Sequence, residues 1–238
     1  MAASKQVLSL LVAALLLHMA TMLKISAFNI KAFGDSKMSN QTIADIIVSI
    51  LSGYDITLVQ EVRDADLSAV KKLIDQLNSM SPHPYSFLDS IPLGRTSYKE
   101  QYVFIYRLDM VSVLESYYYN DSCGSCGTDA FSRDPFIDIF LLGDFNADCS
   151  YVTSTQWPSI RLRSLDACEW LIPDNADTTV SDTDCAYDRI VACGTALRQD
   201  IEPGSATVND FQKTFHLQSK DALAVSDHFP VEVTLKSR

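Results

Sequence analysis

Apolar residues recur along this chain with two periods, and each period predicts an element. Residues 24–30 (KISAFNI) read as a strand. From Asn40 onward, Ile43, Ile46, Ile47, Ile50 and Leu51 fall at helical spacing, and Gly53 ends that helix. Ile56–Val62 is largely apolar, as expected of a strand inside a packed sheet. Leu67, Val70, Leu73, Ile74 and Leu77 mark a second amphipathic helix, with Asp64 and Asp66 near its positive amino end. Strand patterns then dominate: residues 102–107 and 111–119 as neighbours across a short polar turn, then 136–142 (interrupted by Asp138), 189–192 and 231–235. Early helices covering a sheet, followed by many strands, predict a layered α/β architecture. The order is too mixed for a Rossmann wind, and no G-x-G-x-x-G or Walker loop is present.

The amino end breaks both patterns. Lys5 precedes an apolar run over residues 7–17 that is short for a bilayer span and sized for a secretory signal. The alternative, a buried core helix, is disfavoured because no polar face exists to meet water. Cleavage between Ala20 and Met22 would make residues 1–22 the signal and 23–238 one domain, undivided by repeat or linker. The expected product is a soluble, secreted, extracellular monomer with no membrane partner.

Composition narrows the function. With 47% hydrophobic and 21% charged residues the chain is ordinary globular protein, not collagen-like or disordered. Its net charge of −11 disfavours gripping nucleic acid by bulk positive charge. Acidity does not exclude a nuclease whose carboxylates hold cations that in turn face phosphate. The six cysteines fit an oxidising compartment. Cys123-Gly124-Ser125-Cys126 could be a redox motif, half a zinc site or a tight local disulfide; no second such pair completes four ligands, which favours the disulfide. Cys149, Cys168, Cys185 and Cys193 allow three pairings among themselves. Asn40-Gln41-Thr42 and Asn120-Asp121-Ser122 are glycosylation acceptors.

Polar residues sit repeatedly where apolar runs end. Asn29, Glu61, Asp144, Asn146, Asp188 and the pair Asp227-His228 all do so. Taken singly, each is the kind of residue that caps a strand or makes a turn. Together they predict one crevice, because strand ends in layered folds aim side chains to a common place. Such a set, rich in hard oxygen ligands, favours Mg²⁺ (or Mn²⁺) and Ca²⁺ over zinc. His18, His83 and His216 lie in contexts that suggest ordinary residues.

These pieces are carried by recognisable motifs: LKISAFNI (23–30), LVQEVRD (58–64), LGRTSYKEQYVFIYR (93–107), GDFNADCSYV (143–152), CAYDRIV (185–191) and SDHFPVEV (226–233). The chain strongly resembles the deoxyribonuclease I family of the endonuclease/exonuclease/phosphatase superfamily. The resemblance implies a four-layer sandwich of two packed β-sheets with outer helices, and metal-dependent hydrolysis of DNA phosphodiester bonds. It implies that Asn29, Glu61, Asp144, Asn146 and Asp227 line the metal and phosphate centre. Glu100 and Asp188 match carboxylates that each orient a catalytic histidine, and His228 matches one of those histidines. Arg63, Tyr98 and Arg133 match DNA-contacting groups, and Lys31 stands where an arginine is often found. Cys123–Cys126 and Cys149–Cys185 match the family disulfides, which leaves Cys168 and Cys193 as a third bridge or two free thiols. Acidic residues around 121–129 suggest a structural Ca²⁺ site. Relatives bind actin through an exposed strand; here Asp89 in Ser86-Phe87-Leu88-Asp89 puts a charge where an apolar contact is expected, which argues against actin as a partner.

One departure bears on activity. Between Phe136 and GDFN the family pattern runs through two strands, a histidine-bearing loop and a long helix, whereas here only a short apolar run intervenes. Roughly forty residues are absent, about the length of a strand–loop–helix unit with a neighbouring strand. One sheet should therefore be truncated, and Glu100 should lack its histidine. The expectation is an endonuclease impaired in this form. A catalytically inactive secreted DNA- or protein-binding variant is the alternative. A phosphatase or lipid phosphodiesterase is disfavoured by CAYDRIV and the disulfide positions.

Overall fold

Residues Leu23–Phe33 form β1, and their alternation organises the molecule. Ile25 and Ala27 enter one apolar cluster, while Phe28 and Ile30 enter another on the opposite face. This is the period of two written in three dimensions. The computed structural model describes residues 22–94, 96–114, 116 and 140–237. After β1 come α1 (Asp35–Ser39), α2 (Gln41–Leu51), β2 (Ile56–Val62), α3 (Ser68–Met80), β3 (Tyr85–Asp89) and β4 (Gln101–Arg107). Then follow β5 (Phe140–Asp144), β6 (Cys168–Trp170), β7 (Asp188–Cys193), α4 (Thr195–Asp200), β8 (Thr207–Val208), α5 (Phe211–Thr214), α6 (Ser219–Val225) and β9 (Val231–Leu235).

The strands make two packed sheets. The larger runs β3-β4-β2-β1-β9-β8, mixed in direction, with β1 and β2 parallel and their other pairings antiparallel. The smaller runs β5-β7-β6 and is antiparallel. Helices α2, α3 and α6 cover the outer face of the large sheet, where Ile47, Leu51, Leu73, Leu77 and Val225 bury against Phe28, Ile30, Val59 and Ile105. The inner cluster, with Ile25, Ala27, Leu58, Ile190, Val231 and Val233, lies between the sheets. Helix α2 starts where predicted: the Asn40 side chain accepts the backbone N–H of Ile43 at 3.4 Å. At the start of α3, Asp64 accepts the N–H of Val70 (2.8 Å) and Asp66 that of Ser68 (3.1 Å), so both carboxylates cap it.

Two strand expectations need correction. Residues 111–114 are not a strand paired with β4. Both edges of β4 are taken, by β2 and β3, so a local hairpin partner has no edge to join. The run expected at 136–142 becomes β5 at Phe140–Asp144; residues 136–139 lie outside the described part. The two open cysteines are also settled. Cys168 and Cys193 are bonded to each other, directly opposite on β6 and β7, and Cys149 is bonded to Cys185. Cys123, Cys126, Arg133, Asn120 and the acidic segment 121–129 fall outside the described residues. No helix among the described residues is long and apolar enough to cross a membrane.

Candidate active site

The candidate residues meet where the ends of β1, β2, β5 and β7 face one another across the inter-sheet seam. Asn29 shares the inward face of β1 with Ile25 and Ala27 and is almost fully buried. Glu61 would by simple alternation share the helix-facing side of β2 with Val59. Two irregularities turn it inward. The β2–β4 register breaks between Val59 and Val62, and Glu61 adopts φ 57°. That conformation costs a non-glycine residue roughly 1–2 kcal/mol, and such strain clusters where a side chain must be re-aimed. Ala32 and Asn146 also have positive φ, at 49° and 48°.

The oxygen-rich half of the site is tightly connected. The Asn29 amide Nδ2 donates to Glu61 Oε1 (3.0 Å) and Asp144 Oδ2 (3.1 Å), and the Ala32 N–H donates to Glu61 Oε2 (3.1 Å). Asp144 also accepts from the backbone N–H and side-chain Nδ2 of Asn146, at 2.8 and 3.2 Å. An amide nitrogen thus bridges two carboxylates, while the Asn29 side-chain oxygen Oδ1 is buried with no partner. A buried acceptor without a partner is costly. Its position beside two carboxylates fits a hard divalent cation held by Asn29, Glu61 and Asp144. Asp227 lies further along the rim, paired with Lys31 Nζ at 2.6 Å.

The second half is an acid–base pair. His228 Nδ1 lies 2.7 Å from Asp188 Oδ2, and Asp188 is fully buried. The backbone N–H groups of Tyr187 and Asp188 both donate to Thr178 Oγ1, which fixes the carboxylate's strand end. His228 Nε2 faces Asp144 Oδ2 at 3.9 Å and Asp227 Oδ1 at 4.0 Å. Burial would lower the His228 pKa, but the Asp188 carboxylate and its hydrogen bond, with Asp144 and Asp227, outweigh it and lift the ring to about 9. Burial, then the nearby Asp188 charge, raises Asp144 to about 6. Asp144, Asp188 and His228 could in principle gather round one ion. Because Nδ1 is committed to Asp188, the geometry suits proton transfer at Nε2 better than metal ligation.

Glu100 stands apart from this pair. It is buried beside the start of β4, bridges backbone to backbone with Leu93, and accepts a hydrogen bond from the Tyr98 hydroxyl. Arg63 stacks its guanidinium 4.6 Å from the centre of the Tyr98 ring, at the edge of a groove lined by Arg63, Lys99 and Gln101. The other described histidines serve elsewhere: His83 Nδ1 contacts Asp109 at 2.7 Å, and His216 occupies a left-handed turn between α5 and α6. The candidate residues therefore form two neighbouring groups, one around Asp144 and His228 and one around Glu100, Tyr98 and Arg63.

Sequence reasoning overlooked Gln60, Gly143, Thr178 and Ser226. Ser226 is fully buried; its hydroxyl donates to the backbone carbonyl of Asn29 (2.6 Å) and accepts the N–H of Lys31 and of His228, both at 3.2 Å. The one available signal was Gln60, a polar residue next to Glu61 in a largely apolar strand.

Comparison with known proteins gives this geometry its family. Residues 27–228 match the profile of the Endonuclease/Exonuclease/phosphatase family. The chain is 64% identical to Deoxyribonuclease-1 of Gallus gallus, covering 99% of this chain and 100% of that one, and 48% identical to Deoxyribonuclease-1 of Bos taurus, covering 95% and 96%. The first alignment runs over 281 positions against the 238 residues here, so the relative carries positions that this chain lacks. Two solved structures share the fold: an endonuclease/exonuclease/phosphatase from Bacteroides vulgatus (TM-score 0.59, 17% identity, covering 92% of this chain and 100% of that one) and one from Leptotrichia buccalis (TM-score 0.58, 14% identity, covering 90% and 99%). A chain with this site at the seam of two packed sheets, and with such identity across nearly all its length, belongs to the deoxyribonuclease I branch of the endonuclease/exonuclease/phosphatase family.

Proposed function

We propose that this chain is a secreted, metal-dependent endonuclease acting on DNA phosphodiester bonds, and that its present form turns over slowly. The observation that carries the reading is the Asp188–His228 pair at 2.7 Å, with Nε2 directed toward the Asn29–Glu61–Asp144 oxygen cluster. Hydrolysis of a phosphodiester must neutralise charge building on phosphoryl oxygens, activate water and protonate a leaving alkoxide. A divalent cation held by Asn29, Glu61 and Asp144 would supply the first. His228 exchanges a proton at Nε2, and Asp188 fixes its tautomer and orientation. Arg63, stacked on Tyr98, offers a cation to the DNA backbone beside the groove. Secretion is supported by the apolar run over residues 7–17 and by the disulfides; Asn40 is exposed and available to carry a glycan.

The proposal places the missing positions after Phe136 and assigns to them the histidine that Glu100 would orient. Without that second acid–base pair, the rate should fall by roughly 10²–10⁴. The test is nicking of supercoiled plasmid by the purified secreted chain, in Mg²⁺ and Ca²⁺, beside a version with the family segment restored. We expect the restored form to nick at least about a hundredfold faster. Equal rates would refute the assignment, and DNA binding with no nicking by either form would favour a non-catalytic binding protein.

A further inference from the structure

Gln60 is a buried amide between Val59 and Glu61 of β2, and the metal and acid–base chemistry described above leaves it without a role. It shares the inward face of β2 with Leu58. Its Oε1 crosses the seam and accepts the backbone N–H of Asp144 at 2.7 Å. The next residue, Phe145, donates its N–H to Tyr187 on the β7 side (2.9 Å). By the alternation of a strand, the Asp144 N–H therefore points off the other edge of β5. Gln60 satisfies a donor that the β5–β7 ladder cannot.

The socket is also built for it. A Cβ added to Gly143 would lie 2.4 Å from Gln60 Oε1 and 2.7 Å from its Cδ, and Gly143 has φ 124°. A side chain at position 143 would push the amide out of place. At its far end Asp144 receives Asn29 and Asn146, so this one residue is held at backbone and carboxylate together. Gln60 adjoins Glu61, so consecutive residues of β2 hold both sides of the cluster.

We propose that Gln60 is a positioning residue that ties the small sheet to the large one and fixes where the Asp144 carboxylate points, with Gly143 as its socket. The inference rests on the reading that Asn29, Glu61 and Asp144 hold a divalent cation. The experiment uses the whole secreted chain with Gln60→Leu, which removes the acceptor at similar size, and Gln60→Glu, which keeps an acceptor at the same reach. Mg²⁺ affinity is read by calorimetric titration, and amide exchange at Asp144 by NMR without metal. We expect Gln60→Leu to weaken Mg²⁺ binding about tenfold, within the range for residues that orient metal ligands. It should lose protection selectively at the Asp144 amide, and Gln60→Glu should regain that protection. Wild-type affinity and protection in Gln60→Leu would overturn the proposal. So would a loss spread evenly over all core amides, which would mean a merely structural role. If the parent chain binds no Mg²⁺, the cation reading fails, and the Asp144 amide alone decides whether Gln60 positions that strand end.

Discussion

The two sheets share one core but are supported very unequally. In the large sheet, β1 and β2 have strand neighbours on both edges, helices on one face and the small sheet on the other. The small sheet has three strands, and among the described residues β5 is at its edge, with Leu141 and Leu142 only half-buried. Among the described residues, its outer side is met by α4 and by short 3₁₀ turns at Trp157–Ser159 and Arg161–Ser164. The candidate site draws on both halves. Asn29 and Glu61 belong to the large sheet, and Asp227 and His228 sit on the loop leading into β9; Asp144, Asn146 and Asp188 belong to the small one. The geometry of the candidate site therefore depends on both sheets, and local stability can differ between regions of one domain.

The largest expected effect tests the seam itself. In the segment-restored chain, His228→Asn should reduce plasmid nicking by roughly 10²–10⁴, because the Asp188 partner is left with no proton to steer; a loss under about tenfold would remove His228 from proton transfer. Next comes the contrast between the sheets. Leu73→Ala, deep between α3 and the large sheet, should cost about 2–5 kcal/mol, while Leu142→Ala on β5 should cost about 1 kcal/mol or less, both read from denaturant midpoints. Similar costs would mean that β5 is as well packed as the strands of the large sheet.

The small sheet does hold both described disulfides at or beside its strands, and these support it. Cys149–Cys185 and Cys168–Cys193 close spans of 36 and 25 residues. Replacing either pair with serine should destabilise by about 2–4 kcal/mol, seen as a lower melting temperature and faster exchange in β7 before β2. Uniform acceleration in both sheets would argue against separable support. The smallest effect belongs to the exposed end of the large sheet. Hydrogen bonds from Arg107, then His83, hold Asp109 at about 2, below its unfolded value near 4. Its contribution is present above the unfolded pKa and fades as pH falls through about 2. Asp109→Asn should therefore lower the melting temperature slightly at neutral pH, and the difference should close toward pH 2; a gap unchanged by pH would dissociate the effect from charge.

The sequence alone determined the local elements with strong periodicity and the polar residues that are candidates for the site. β1, β2, α2 and α3 follow from which positions are apolar, because that pattern fixes the buried face whatever packs on it. The motifs around Asn29, Glu61, GDFN and SDH already placed polar residues at strand ends. Tertiary structure decided what depends on edges and distance. Residues 111–114 found no place beside β4 because β2 and β3 occupy both its edges. Cys168 met Cys193 because antiparallel register set them opposite each other, a pairing that spacing leaves open. Glu61 reached the site through a backbone irregularity that reverses its face, which alternation cannot foresee. Gln60 and Gly143 gained meaning only when residues 83 positions apart were brought together across the seam. Sequence encodes which face each strand buries; the partner that face meets is set by long-range packing, and the chemistry here depends on that partner.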